Sequence, residues 1–347
     1  MVKASRAAKI LLEDHGEYLG LDTTFKTGNA FFIKDKDRNE RARFGIRQVG
    51  EVTLGNGNLV STTALVTLLE NHVNVVITGF CGDPIGVLKN LEDDSHVQTR
   101  ISQFEALNNG KGLNIAKQFV IGKIEGQNNV LKKYGLRSDT SIKLKVNAIE
   151  TNDLNLLRRK LLHIEGKFSQ FYFSQIFQLF PEKIRSEQRI GFKAYDGVNN
   201  LFNLAYQILF GKCYSALIMS KVEPYLGFLH SLQFGKPSLV CDFQELYRFL
   251  IDDFVIQFSQ TLKKKDFNVV YCHSIHGKYP RLYLNHEQNV KFRKCLHDYF
   301  RRMVEIPRMK IGKKQELETL INEEALLFAK YLRNETETWK PRIAMLN

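Results

Sequence analysis

A change of pattern near Asp93-Asp94-Ser95 divides this chain into two kinds of fold. Before it lie short segments of strand character, at residues 17–21, 30–33, 44–49, 51–54, 73–78 and 85–89, separated by Gly and Asn turns. One helix interrupts them, opening on a Ser61-Thr62-Thr63 cap and running to Glu70. After the change, apolar residues recur at helical spacing, beginning with residues 98–107 and 113–133. The expectation is an α+β chain in which residues 1–95 form a β-rich domain and residues 96–347 a larger all-α domain. A length of 347 residues suffices for two cores.

Within the helical part, Glu223-Pro224-Tyr225-Leu226-Gly227-Phe228-Leu229-His230 and then Ser238 to Arg248 set one imidazole, His230, and two carboxylates, Asp242 and Glu245, among apolar residues. An ionised carboxylate removed from water costs several kcal/mol unless it is paired, bound to a metal or neutralised. One nitrogen and several hard oxygens suit magnesium or manganese, whereas zinc favours more His or Cys. Placed on one helix, Asp242 and Glu245 would share a face, though solvated helices use the same spacing. A lone His beside apolar residues is most often a core histidine.

A third acid lies upstream. Leu154, Leu157, Leu161, Ile164, Phe168, Phe171, Ile176 and Leu179 predict one amphipathic helix over 154–180. Glu165 falls at the edge of its apolar stripe. The bland reading is a boundary Glu that turns outward or pairs with Arg159 or Lys160.

Glu165-Gly166 with Phe171-Tyr172-Phe173, Asp196 to Leu201 with Tyr206, Glu223-Pro224 to His230, and Asp242 to Arg248 follow one another in an order that resembles the CRISPR-associated spacer-integrase/endonuclease family, the universal adaptation nuclease of CRISPR systems. Gly55 to Asn58, the Ser61 to Glu70 helix, Arg100 with Gln103, and Gly122-Lys123-Ile124 with Gln127 resemble its N-terminal and linker blocks. The resemblance implies that Glu165, His230 and Glu245 ligate a catalytic magnesium or manganese ion. Asp242 matches the additional acidic position of the catalytic set, and Arg248 is expected to brace Asp242 or Glu245. Gly197 and Phe249 stand where many members carry Pro, which bears on the subgroup more than on the ligands. The resemblance further implies an N-terminal domain that forms a homodimer and a small ferredoxin-like partner protein. Its substrates would be double-stranded DNA with free 3′ ends and CRISPR repeat DNA, joined by transesterification. The alternatives are a catalytically silent DNA-binding scaffold and a transposon-type integrase.

Charge agrees on independent grounds. The chain holds 50 Lys+Arg against 37 Asp+Glu, a net +13. Residues 1–95 contribute 11 and 13, or −2, so the remaining 39 and 24 give +15 to the helical part. Residues 261–315 are densest, with 14 basic against 4 acidic side chains. Such an excess strains a compact domain unless a polyanion neutralises it, so phosphate contact is expected there. The interleaved rings of Phe292, Tyr299 and Phe300 are expected to face inward.

Five Cys form no even disulfide framework and no CxxC pair. Cys272, His273, His276 and His286 resemble a zinc cluster on paper. The alternation around Gly277 instead predicts a hairpin with His at its turn. Neither a GxxxxGK[ST] loop nor a dinucleotide fingerprint is present. No secretory or membrane-spanning run occurs, which leads to the expectation of a cytoplasmic protein without membrane attachment.

Overall fold

The computed structural model describes residues 8–12, 15–23, 30–79, 84–90, 97–191, 194–274, 277–305 and 314–346. The chain separates into two compact units, Met1–Ser95 and His96–Asn347.

In the first unit, β1 (Ala8–Leu12), β5 (Val49–Leu54), β7 (Asn74–Thr78) and β8 (Pro84–Leu88) form one sheet in the order β1-β5-β7-β8. The pairs β1/β5 and β5/β7 run parallel, and β7/β8 antiparallel. A second sheet, in the order β4-β3-β2-β6, comprises β2 (Tyr18–Asp22), β3 (Ala30–Lys34), β4 (Glu40–Gly45) and β6 (Leu59–Val60). Strand residues Leu12, Leu19, Phe31, Val52 and Val75 share a core with Ala64 and Leu68 of α1 (Thr62–Glu70), whose N-cap is Ser61. Strand bounds differ from the sequence reading in several places: β4 starts at Glu40, β5 starts at Val49, and β6 was not expected. The strand expected at 44–49 ends at Gly45 and gives way to a single tight turn, Ile46–Gln48, where Gln48 Oε1 accepts the Gly45 N–H. Strand β1 was not expected, because five residues carry too little periodicity to stand out.

The second unit is helical: α2 (Val97–Ala106), α3 (Gly110–Lys133), α4 (Ile142–Asn147), α5 (Leu154–Ile176), α6 (Gly197–Met219), α7 (Ser238–Gln244), α8 (Arg248–Ser259), α9 (His286–Phe300) and α10 (Leu317–Leu332). It is not wholly α. The expected hairpin, β9 (Phe267–Ser274) against β10 (Gly277–Leu284), is tied to α6 through Asn200 and the Leu282 carbonyl, and a short ribbon pairs β11 (Met303–Glu305) with β12 (Lys314–Glu316). The helix predicted over 154–180 starts at the Asp153 cap and stays α-helical to Ile176, then tightens over Phe177–Leu179. Its stripe is buried at Leu157, Leu161, Phe168, Tyr172 and Ile176.

Helices α3, α5, α6 and α8 meet in one core. Helices α3 and α8 approach closely because α3 carries glycine at the crossing. A Cβ on Gly126 would lie 2.3 Å from Phe249 Cδ1, and one on Gly122 2.6 Å from Leu246 Cδ2. Phe292, Tyr299 and Phe300 turn into the core, whereas Tyr271 of the same basic segment is exposed. Among the described residues no helix is long and apolar enough to cross a membrane.

Candidate active site

Helices α3, α5 and the break between α7 and α8 each send one ionisable side chain to a common point. From α5 comes Glu165, from the end of α7 comes Glu245, and between them α3 inserts the ammonium of Lys123. Lys123 Nζ donates to Glu165 Oε1 and lies 2.7 Å from Glu245 Oε2. The side chains of Lys123 and Glu245 are only 9% and 6% exposed. Ser169, one turn along α5, donates to Glu165 Oε1 at 2.9 Å, and Arg248 Nη1 donates to Glu245 Oε1 at 2.7 Å. The Arg248 guanidinium rests on the Tyr206 ring, 4.4 Å from its centroid. Glu165 therefore turns neither outward nor to Arg159 or Lys160. Arg248 braces Glu245, not Asp242.

The two acids of the Asp242/Glu245 pair do not work as one helical face. Helix α7 ends at Gln244, so Asp242 lies inside it while Glu245 is its C-cap. Asp242 points away, fully buried, into the backbone of the preceding loop. Its Oδ2 accepts the N–H groups of Phe228 (2.6 Å) and Leu229 (2.9 Å), and its Oδ1 accepts that of His230 (2.8 Å). His230 Nδ1 lies 2.6 Å from the same Oδ1. A carboxylate oxygen already taking a backbone N–H is an acceptor, which assigns the proton to Nδ1 and leaves Nε2 with its lone pair. The imidazole is 24% exposed, so that lone pair has a way out.

The loop carrying His230 is held from three further sides. Arg158, two turns before Glu165 on α5, donates to the carbonyls of Gly227 and Phe228, each at 2.8 Å. Gln103 on α2 donates to the carbonyls of Glu223 and Leu226 and accepts the Glu223 N–H at 2.8 Å. Ser238 Oγ accepts the Gly227 N–H and donates to the Tyr225 carbonyl. Gly227 has no room for a side chain: a Cβ would sit 2.7 Å from the Ser238 carbonyl carbon and 2.9 Å from Asp242 Oδ2.

Electrostatics follow from this geometry. Burial alone would raise the Glu245 carboxyl, but Arg248 and Lys123 outweigh it and bring it down to about 2. Burial would likewise depress the Lys123 ammonium, and the carboxylates of Glu245 and Glu165 hold it above its ordinary range instead. Behind Arg248, Asp252 accepts the hydroxyls of Tyr172 (2.8 Å) and Tyr206. Its burial dominates and raises it to about 6.

As they stand, no three His, Cys, Asp or Glu side chains among the described residues are drawn tightly enough together to hold a metal. The donor set nevertheless fits a hard divalent cation: two carboxylates and one imidazole nitrogen. Glu245 Oε2 is buried, and its close partner is the Lys123 ammonium at 2.7 Å, so a cation already occupies the place a metal would take. The zinc arrangement imagined for Cys272, His273, His276 and His286 finds no support among the described residues. His276 and the side chain of His273 lie outside them, as do residues 306–313 of the basic segment.

Beside the site opens a cleft of about 500 Å³ with Arg189, Arg248 and Arg281 in its wall, alongside Tyr206, Phe210 and Tyr279 and without a carboxylate. Arg189 is fixed by the side-chain oxygens of Asn199 and Asn203, and Arg281 by the Ala194 carbonyl. Sequence reasoning missed the roles of Lys123 and Arg158. The signal for Lys123 was present, since Phe119-Val120-Ile121-Gly122-Lys123-Ile124 places a charge inside an apolar run just as the carboxylates are placed.

A two-unit α+β chain with two carboxylates paired on a buried ammonium and an oriented imidazole beside an arginine-lined cleft has the frame of a nucleic-acid phosphoryl-transfer protein. A family model described as CRISPR associated protein Cas1 matches residues 12–292, and the chain belongs to that family. Over 239 residues it is 30% identical to CRISPR-associated endonuclease Cas1 2 of Pyrobaculum aerophilum, covering 66% of this chain and 77% of that protein. Among solved structures, a casposase bound to integration product aligns with a TM-score of 0.72 at 21% identity, covering 96% of this chain and 92% of that one. A chain of a partial Cas6-RT-Cas1–Cas2 complex aligns with a TM-score of 0.70 at 20% identity, covering 96% and 99%.

Proposed function

We propose that this chain is a metal-dependent DNA integrase and endonuclease of CRISPR adaptation, joining the 3′-hydroxyl ends of captured DNA to the CRISPR repeat. The observation that carries the reading is the convergence of Glu165 and Glu245, from separate elements, on one buried point beside an imidazole whose Nδ1 is occupied by Asp242. Glu165, Glu245 and His230 Nε2 would hold magnesium or manganese. Bound there, such an ion lowers the pKa of a hydroxyl and polarises a phosphodiester.

The chain's own residues do the rest. Asp242 fixes the tautomer and aim of His230, the orientation that a ligand imidazole requires. Arg248 and Ser169 hold the two glutamates in place. The arginine-lined cleft receives phosphates and positions the strand, and positioning supplies much of the acceleration in such transfers. The attacking 3′-hydroxyl gives its proton to water as its oxygen bonds to phosphorus, the repeat's own P–O3′ bond breaks, and the departing 3′-oxygen takes up a proton from water.

The basic helical part would grip the duplex, and the N-terminal unit would form a homodimer. A small ferredoxin-like partner would complete the assembly; a neighbour in fold is a chain of a complex that contains Cas2. The same chemistry would serve a transposon-type integrase, and the casposase is such a neighbour in fold.

The test is strand transfer from a short duplex with free 3′-hydroxyls into a repeat-bearing plasmid with magnesium or manganese. Glu165→Ala and His230→Ala are each expected to abolish joining while DNA affinity stays within about threefold. Full joining by either variant overturns the assignment. Tight binding with no joining by the unsubstituted protein, even with a Cas2-type partner added, favours a silent scaffold.

A further inference from the structure

We propose that Lys123 is a resident counter-cation of the Glu165/Glu245 pair, which a divalent metal must displace, and that this competition keeps metal affinity low until DNA arrives. The proposal rests on the metal reading given above. Lys123 sits in the middle of α3, its side chain nearly enclosed, and its ammonium bridges both glutamates that would serve as ligands. With Arg248 on Glu245, the cluster holds two negative and two positive charges and is already neutral.

A buried group of charges that balances is tolerated, whereas an uncompensated one is costly. A divalent ion added to this cluster leaves two surplus positive charges within a few ångströms, where the low dielectric makes repulsion strong. Two changes relieve it. The ammonium leaves the carboxylates, or a phosphodiester brings negative charge in, and the first clears the oxygens the metal needs. Helix α3 packs closely at Gly122 and Gly126 against Leu246 and Phe249, which disfavours moving its backbone. Withdrawal therefore falls to the flexible lysine stem, which suits a side chain of four rotatable carbons.

The experiment measures manganese binding to the DNA-free protein by calorimetry, for the unsubstituted chain, Lys123→Gln and Lys123→Arg. Lys123→Gln is expected to bind manganese at least about tenfold more tightly, since the two carboxylates then lose the ammonium they share and only Arg248 on Glu245 remains, and Lys123→Arg to stay near the unsubstituted value. The thermal midpoint of Lys123→Gln should fall in chelator and recover with manganese. Equal or weaker binding by folded Lys123→Gln overturns the competition while leaving the metal reading intact. Absence of binding by every protein overturns the metal reading and the competition with it. Should Lys123→Gln fail to fold, reductive methylation of the unsubstituted protein decides. Manganese should raise labelling of Lys123 several-fold relative to the exposed lysines, and unchanged labelling overturns the proposal.

Discussion

Gly227 and Gly166 show how differently one residue type is constrained around this site. A Cβ at Gly227 would meet the Ser238 backbone and Asp242 Oδ2, neither of which has freedom to retreat. Gly227→Ala is expected to cost about 1–3 kcal/mol in urea unfolding and to lower strand joining, because the Asp242 cradle that aims His230 must open. Gly166, next to Glu165 on α5, has nothing within 4 Å of its Cβ position. Gly166→Ala is expected to stabilise by about 0.5–1 kcal/mol through the helix-propensity difference. A stabilised Gly227→Ala would show that the loop is not fixed where it stands. Asp242→Asn presents a different case at the same point. Its amide keeps the shape but offers one oxygen in place of two, so at least one of the three loop N–H groups loses its acceptor.

Helix α5 does two jobs seven residues apart on one face: Arg158 ties down the His230 loop, and Glu165 enters the charged cluster. The guanidinium reaches two adjacent carbonyls at once, a fork that lysine lacks. Arg158→Lys is expected to destabilise the protein by about 1–3 kcal/mol and to loosen the loop. Hydrogen exchange should show this as faster exchange of the Phe228 to His230 amides, with α6 unchanged. Equal exchange in both segments would mean that Asp242 holds the loop unaided. Helix α7 makes the complementary point. Asp242 inside it and Glu245 at its C-cap, three apart, take different partners, one to orient an imidazole and the other to meet a lysine.

Across the whole molecule, two responses to solution conditions follow. Asp252, raised to about 6 by burial despite the Tyr206 and Tyr172 hydroxyls, binds its proton more tightly folded than unfolded. Its contribution is full below the unfolded value of 3.8 and is lost as pH rises through about 6. The stability of the unsubstituted protein relative to Asp252→Asn should therefore fall by up to about 3 kcal/mol between pH 4 and pH 7. A difference independent of pH would place the proton elsewhere. Ionic strength acts on the basic segment. Lys263, Lys264 and Lys265 are all exposed, ahead of the hairpin. Replacing all three with Ala should lower duplex affinity and reduce the slope of log K against log salt by up to about 3, near 0.9 for each lost phosphate contact. An unchanged slope would locate the DNA path on another face.

The division near residue 95, the helices, the hairpin and the charge excess were legible in the sequence because each is written in short-range periodicity or in counts. So was the block that resembles the Cas1 family, since its residues run in order along the chain. Strand β1 and the split between α7 and α8 were not legible, since a five-residue strand and a one-turn break carry little periodic signal. The sequence by itself determined that charges at His230, Asp242 and Glu245 had to be held inside an apolar frame, and left Glu165 at the edge of its stripe. What holds them was decided by tertiary structure. Lys123 lies 42 residues from Glu165, and Arg158 lies 70 from Phe228. Partners so distant meet only once α3, α5 and α8 have packed, since burial selects which side chains face one another and the chain's order does not.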